Sequence, residues 1–326
     1  MKVSEEQEKR PRIVVMGGGT GLSVMLRGLK EKPLDITAIV TVADDGGSSG
    51  ILRSELQMPP PGDIRNVLTS MADVEPLMAQ IMKYRFSTGE GLAGHSLGNL
   101  ILAALTDISG DFVTAVRELS RLFAVRGRVL PAAGEAVVLH AEMADGTLVT
   151  GESKIPEAGG RIKRVFLEPS DVEPLPEALD AIRSADAILC GPGSLYTSIL
   201  PNLLVPKLAE AVVESDAIKI FVCNVMTQPG ETDNYTVSDH LQAVYDHIGQ
   251  HLFDYVIVND GEIPEQVQVK YAEKGARPVL LDRDVLDGNG YKVIADKLVL
   301  FKTYLRHDTD KLSHHIYQLV KDWISR

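Results

Sequence analysis

The sequence predicts an α/β chain, a Rossmann-like and mostly parallel sheet with flanking helices and a β-rich insertion. Three observations carry this expectation. A short apolar run, Arg12 to Met16, ends in Gly17-Gly18-Gly19-Thr20-Gly21, after which Leu22, Met25, Leu26 and Leu29 recur at helical spacing. A second run, Ile36 to Val42, closes at Ala43-Asp44-Asp45-Gly46-Gly47-Ser48-Ser49-Gly50 and completes one βαβ unit. The same alternation resumes from Leu179, with Asp186 to Cys190 as a strand and Gly191-Pro192-Gly193-Ser194 as its turn. A right-handed crossover lays such strands parallel and gathers their turns at the carboxyl edge of the sheet, where ligands of this architecture bind.

The elements follow in order. Residues 1–11 read as a flexible tail: Met1 to Ser4 leads into Glu5-Glu6-Gln7-Glu8-Lys9-Arg10, with no apolar stretch of the kind a signal peptide needs. Residues 12–326 read as a single domain with an insertion near 125–170. Pro33 stops the first helix. Pro59-Pro60-Pro61-Gly62-Asp63 breaks the chain, and Asp63 is placed to cap a helix carrying Val67, Leu68 and Met71. Leu97 to Leu105 and Phe112 to Phe123 continue the helical pattern. The period then changes: Ala136 to Met143 and Thr147 to Gly151 flank Ala144-Asp145-Gly146, a hairpin signal, and Arg161 to Leu167 offers a third strand. Beyond the second glycine turn come a strand at Ile218 to Cys223, a polar loop from Thr227 to Asn234, and a helix to about Gln250. A strand at Tyr255 to Asn259 and a last helix around Leu312 to Trp323 complete the chain.

Composition narrows the function. The 326 residues carry 45 acids against 33 bases, a net charge of −12, which excludes generic attraction to nucleic acid or anionic membrane. No stretch approaches the length of a membrane span, and a cytoplasmic location is expected. Cys190 and Cys223 stand far apart and predict two buried thiols rather than a disulfide or a zinc site.

The chemistry concentrates in a few turns. Glycines at Gly18, Gly19 and Gly21, with Thr20 and Leu22, let backbone amides approach an anion at a helix start, which points to phosphate. The strict dinucleotide fingerprint fails, because Leu22 or Val24 falls where its last glycine belongs, and no Gly-Lys-Ser/Thr follows for a P-loop. Asp44 and Asp45 end the second strand, where an acid accepts hydrogen bonds from sugar hydroxyls or holds a hard cation. Asp63 is a third carboxylate for such a Mg²⁺ site, unless it serves only as a cap. Gly191, Gly193 and Ser194 offer a second phosphate or sugar loop, and Asn224 with the run Gln228 to Tyr235 is expected along the same cleft, although that run reads equally well as a surface turn. His240, His247 and His251 share one predicted helix and read as a solvated face rather than a metal set. No nucleophile elbow and no Cys/His pairing supports covalent catalysis, and catalytic residues stay unassigned.

Gly17-Gly18-Gly19-Thr20-Gly21-Leu22, Ala43-Asp44-Asp45-Gly46-Gly47-Ser48-Ser49-Gly50, Pro61-Gly62-Asp63-Ile64-Arg65-Asn66 and Gly191-Pro192-Gly193-Ser194-Leu195-Tyr196 together resemble the gluconeogenesis factor family, over about residues 12 to 320. That family falls within the superfamily of the phospholactate transferase CofD. The resemblance implies a Rossmann-like core and a cytoplasmic factor that binds UDP-sugars such as UDP-N-acetylglucosamine. It also implies a need for the protein in cell shape and wall synthesis during gluconeogenic growth, with proteins of wall synthesis as partners. Homo-oligomer formation stays open. The superfamily further implies an alternative, a metal-dependent transferase acting on a nucleotide-linked donor. Asp63 sits about where that group has a metal-binding acid, with Asp45 beside it, but no deazaflavin pocket is identifiable.

Overall fold

The computed structural model describes residues 10–73, 76–301 and 305–326, so the tail predicted for residues 1–11 lies largely outside the described residues. The strands among them are β1 (Arg12–Gly17), β2 (Asp35–Val40), β3 (Arg128–Pro131), β4 (Val138–Met143), β5 (Leu148–Thr150) and β6 (Ile162–Glu168), followed by β7 (Ala187–Cys190), β8 (Ile218–Val222), β9 (Tyr255–Asn259), β10 (Lys292–Asp296), β11 (Val299–Phe301) and β12 (Leu305–His307). Seven of them form one parallel sheet in the order β10-β9-β8-β7-β1-β2-β3. The chain leaves β1 toward β2 and β3, then returns across the sheet to β7 and walks outward on the other side. The strand order therefore reverses between β1 and β7, which pair from Ile13↔Ala187 to Met16↔Cys190. That crevice is where a doubly wound sheet takes its ligand.

The central strands are continuous apolar runs because helices cover both faces. Val14, Met16, Ile188 and Phe221 join one buried cluster, while Ile13, Val15, Leu189 and Ile220 join the other, so alternate residues of each strand fill opposite sides. Each fully buried aliphatic contributes about 1.5–3 kcal/mol. The helix Gly19–Leu29 packs against the last helix, Thr309–Ile324, at Gly28, where a β-carbon would stand 2.5 Å from the Thr309 carbonyl oxygen. Cys190 and Cys223 are free and buried as expected, and burial pushes the Cys190 thiol up to about 12. No single helix among the described residues is long and apolar enough to cross a membrane.

The predicted hairpin is present. β4 pairs antiparallel with β5 across the Asp145-Gly146 turn, and β6 pairs with the other side of β4. Within the stretch expected as an insertion, Arg128–Pro131 belongs to the main sheet as its edge strand, paired with β2. Three local expectations are corrected. The glycine-serine run after β2 is not all turn: Gly47–Leu56 is a helix, with Ser48, Ser49 and Leu52 buried. Asp63 does not cap. The helix Gly62–Met71 has Pro61 as its N-cap, two residues earlier, leaving Asp63 in its first turn. The histidines are not a solvated face: His240 is buried with Nδ1 on the Thr236 carbonyl, and His247 holds the Ala243 carbonyl and the Val165 amide. The helix ends at Ile248, so His251 lies beyond it, on the Tyr291 hydroxyl. His240 and His247 therefore turn inward, whereas His251 is exposed.

Candidate functional site

The turn after β1 owes its shape to glycine at specific points. Gly19 has φ +67, a left-handed conformation that a β-branched residue resists. A β-carbon on Gly21 would stand 2.7 Å from the Pro192 carbonyl oxygen, so the turns after β1 and β7 touch backbone to backbone. Asn202, which no sequence pattern flagged, ties them further: its Nδ2 donates to the carbonyls of Gly17 and Ser198. The second turn is braced from β8. Asn224 Oδ1 accepts from the Gly193 amide at 3.1 Å, its Nδ2 donates to the Gly193 carbonyl at 2.7 Å, and Gln228 Nε2 donates to Ser194 Oγ at 2.6 Å.

These two turns form one side of a cleft of about 710 Å³ at the reversal point of the sheet. Gly18, Gly19, Thr20, Gly21, Gly193 and Ser194 all line it, and Asn224 does as well. Leu22 and Gly191 do not. Leu22 is buried in the core, and Gly191 packs against the Val222 carbonyl. The cleft also takes in residues that the sequence left unmarked: Glu152 from the turn after β5, Lys274 after the helix Glu265–Ala272, and Arg306 and His307 of β12.

Two carboxyls of this cleft are pushed toward their protonated forms. Burial pushes Glu152 up to about 8, reinforced by the negative charges of Asp44, Asp63 and Glu231. Burial likewise pushes Glu231 up to about 7, against the opposing pull of the Thr197 hydroxyl, whose Oγ1 stands 3.2 Å from Glu231 Oε1. His307 is driven down to about 4 by burial, so its neutral ring meets the Cys223 carbonyl. A diphosphate in the cleft would meet backbone amides, neutral hydrogen-bond donors and two cations, Lys274 and Arg306.

The three aspartates are not gathered as expected. Asp45 lines neither this cleft nor the neighbouring cavity; its Oδ1 accepts the Ser153 amide at 2.8 Å and its carboxylate abuts Gly151, which fastens the β4–β6 sheet to the turn after β2. Asp44 accepts the Gly46 amide at 2.9 Å. Asp63 accepts the Gly19 amide, and burial followed by the charge of Asp44 pushes it up to about 6. Asp44 and Asp63 face one small cavity beside the cleft. Among the described residues no group of three or more His, Cys, Asp or Glu is close enough to hold a metal ion. The pair that fits a shared hard cation is Asp44 with Asp63, and a bound phosphate and waters would have to complete it.

The fold has close counterparts. The model of the 2-phospho-L-lactate transferase CofD family matches residues 13–299. A gluconeogenesis factor of Bacillus subtilis is 58% identical over 315 residues, covering 96% of this chain and 99% of that one. A gluconeogenesis factor of Halalkalibacterium halodurans is 57% identical over 311 residues, with coverage of 95% and 97%. A crystal structure of a UPF0052 family member from Bacillus halodurans superposes with a TM-score of 0.92 at 57% identity, covering 94% of this chain and 99% of that chain. With strand order, glycine turns and nearly full-length matches in agreement, the chain belongs to the CofD family and, within it, to the gluconeogenesis factors.

Proposed function

We propose that this protein is a non-catalytic nucleotide-sugar-binding factor that supports wall synthesis and cell shape during gluconeogenic growth, with a UDP-sugar such as UDP-N-acetylglucosamine in the cleft. The observation that carries the reading is the meeting of two glycine turns at the strand-order reversal, one of them opening a helix, around a cleft large enough for such a ligand. The diphosphate lies against Gly18 to Gly21 and Gly193, and Lys274 and Arg306 balance its charge. Protonated Glu152 donates a hydrogen bond. The names of the relatives support the gluconeogenic setting. The reading fits a cytoplasmic protein that acts through protein partners.

Calorimetric titration of UDP-N-acetylglucosamine into wild type and Gly19→Asp tests it. Aspartate tolerates the left-handed conformation at residue 19, and a β-carbon there meets only Ser198 Oγ at 3.7 Å, so the variant folds while placing a negative charge where the diphosphate lies. Wild type is expected to bind and the variant to lose at least about tenfold in affinity, or roughly 1.4 kcal/mol. Absence of binding to wild type, or equal binding to both, overturns the reading.

One observation favours a second reading, a metal-dependent transferase using a nucleotide-linked donor: Asp44 and Asp63 share a cavity next to the phosphate-facing turn. Mg²⁺ there would neutralise charge developing on a transferred phosphate. Product formation from a nucleotide-linked donor that disappears with EDTA would select this reading over the first.

A further inference from the structure

The cleft has two chemically different ends. Beside the turn after β2, where Asp45 fastens the Ser153 amide, it carries Glu152, Ser153 and Glu231, polar side chains suited to sugar hydroxyls. Toward β8 and β12 it is walled by Val24, Met226, Tyr271, Ala276 and Leu305. Tyr271 and Leu305 are held together there, the Leu305 amide donating to the Tyr271 hydroxyl at 3.0 Å. In the sheet order β2 and β8 stand on opposite sides of the pair β1 and β7, so the glycine turns after β1 and β7 separate the two ends. A diphosphate on those turns sends its sugar one way and its base the other, and the apolar end suits the flat face of a base.

One polar group belongs to this apolar end. His307 lines the cleft two residues after Leu305 on β12, on the same side of the strand, and is 9% exposed. Its Nε2 stands 3.2 Å from the carbonyl oxygen of Cys223, directly after β8. A carbonyl can only accept, so Nε2 carries the proton. Burial keeps the ring neutral, which leaves Nδ1 with a lone pair. Among the described residues nothing donates to Nδ1, and it is accessible rather than sealed in the interior. An acceptor this deeply set costs free energy until a donor meets it, so a ligand that brings an N–H to this point is favoured over one that brings a second lone pair. The pyrimidine bases differ there: uracil carries a proton on N3, whereas cytosine carries a lone pair.

We propose that the β12 end of the cleft is the base subsite and that His307 distinguishes uracil from cytosine by accepting the uracil N3–H at Nδ1, with the base against the wall of Tyr271 and Leu305. The sugar then lies at the Glu152 end. This inference deepens the nucleotide-sugar reading and rests on it: it assigns the direction in which the ligand lies and the residue that reads its base.

The test is calorimetric titration of UDP, CDP and N3-methyl-UDP into wild type and His307→Phe at neutral pH, with thermal melts to confirm that the variant is folded. Wild type is expected to bind CDP and N3-methyl-UDP at least about tenfold more weakly than UDP, because both present a group that cannot donate to Nδ1. His307→Phe fills the space of the ring without the acceptor, and its preference for UDP over CDP should shrink to about threefold or less. The comparison of the three ligands on wild type decides the matter even where the variant does not fold. Wild type that binds UDP but takes CDP or N3-methyl-UDP equally well overturns this inference alone, as does a folded His307→Phe that keeps the full preference. Failure of wild type to bind UDP or UDP-N-acetylglucosamine overturns the nucleotide-sugar reading and this inference with it.

Discussion

The corners after β1 and β2 are built alike and do different things. Each runs from a parallel strand through glycines into a helix, Gly19–Leu29 in one case and Gly47–Leu56 in the other. The first lies where the strand order reverses, so the neighbouring strand's turn faces it across an open cleft. The second lies between β2 and the edge strand. Its two acids are consumed by backbone amides, and its helix start looks into a smaller cavity shared with Arg65. Position in the strand order, more than glycine content, decides which corner can admit a large ligand.

The largest expected effect breaks the first corner. In Gly21→Val the new side chain meets the Pro192 backbone at 2.7 Å, which cannot yield without parting the two turns. We expect a loss of about 3 kcal/mol in urea unfolding, with no detectable nucleotide-sugar binding. The matching change in the second corner, Gly47→Ala, meets nothing within 4 Å and suffers only from its φ of +45. Its cost should be about 1 kcal/mol. Equal losses in the two variants would remove the distinction between the corners.

Next in size is a pH effect confined to the region between the corners. Glu152, Glu231 and Asp63 are all raised, to about 8, 7 and 6, so folding favours their protonated forms. Their contribution is complete below the unfolded carboxyl range near 4 and is lost as pH rises through 6 to 8. Stability in urea should therefore fall progressively from about pH 4 to about pH 8 and level off above, and Glu152→Gln should recover about 2 kcal/mol at the upper end. A flat profile in wild type would show that these carboxyls are better solvated than their burial implies. Asn224→Ala comes third. It removes two hydrogen bonds to Gly193 and one to Gln228 and should cost about 1–2 kcal/mol, with a severalfold weaker ligand titration.

The sheet was legible in the sequence because its buried strands are unbroken apolar runs punctuated by glycine, as at Val14 to Gly17 and Ile188 to Gly191. The hairpin was legible from Asp145-Gly146. The helix at Gly47–Leu56 was hidden because its first turn, Gly-Ser-Ser-Gly, has the composition of a loop, while the contacts that hold it come from afar: Ser48 Oγ meets His95, the Ser96 amide and Asn99. The cleft-lining glycines showed themselves locally. Glu231 falls in the run Gln228 to Tyr235 that was expected along the cleft, but Glu152, Lys274 and Arg306 come from three segments distant in sequence, with no shared spacing, so only the fold could assemble them. Asp45 misled for the opposite reason: it stands in the right motif, yet its side chain points to the β4–β6 sheet.

Asp45 supplies the smallest expected effect and the sharpest contrast with the sequence alone. In Asp45→Asn the side-chain oxygen can still accept the Ser153 amide, so the tie to the β4–β6 sheet survives as a neutral hydrogen bond instead of a charged one. Stability should fall by about 0.5–1 kcal/mol. Because Asp45 lines neither cleft nor cavity, UDP-N-acetylglucosamine affinity should stay within about threefold of wild type, with Mg²⁺ or with EDTA. A direct contact with a sugar hydroxyl or a bound cation would instead cost about tenfold or more, and a cation contact would make the loss depend on Mg²⁺. Calorimetry on wild type and Asp45→Asn in both buffers separates the outcomes. A large, Mg²⁺-dependent loss would mean that the turn after β2 rearranges on ligand binding and brings Asp45 around to the cleft, making the two corners one site.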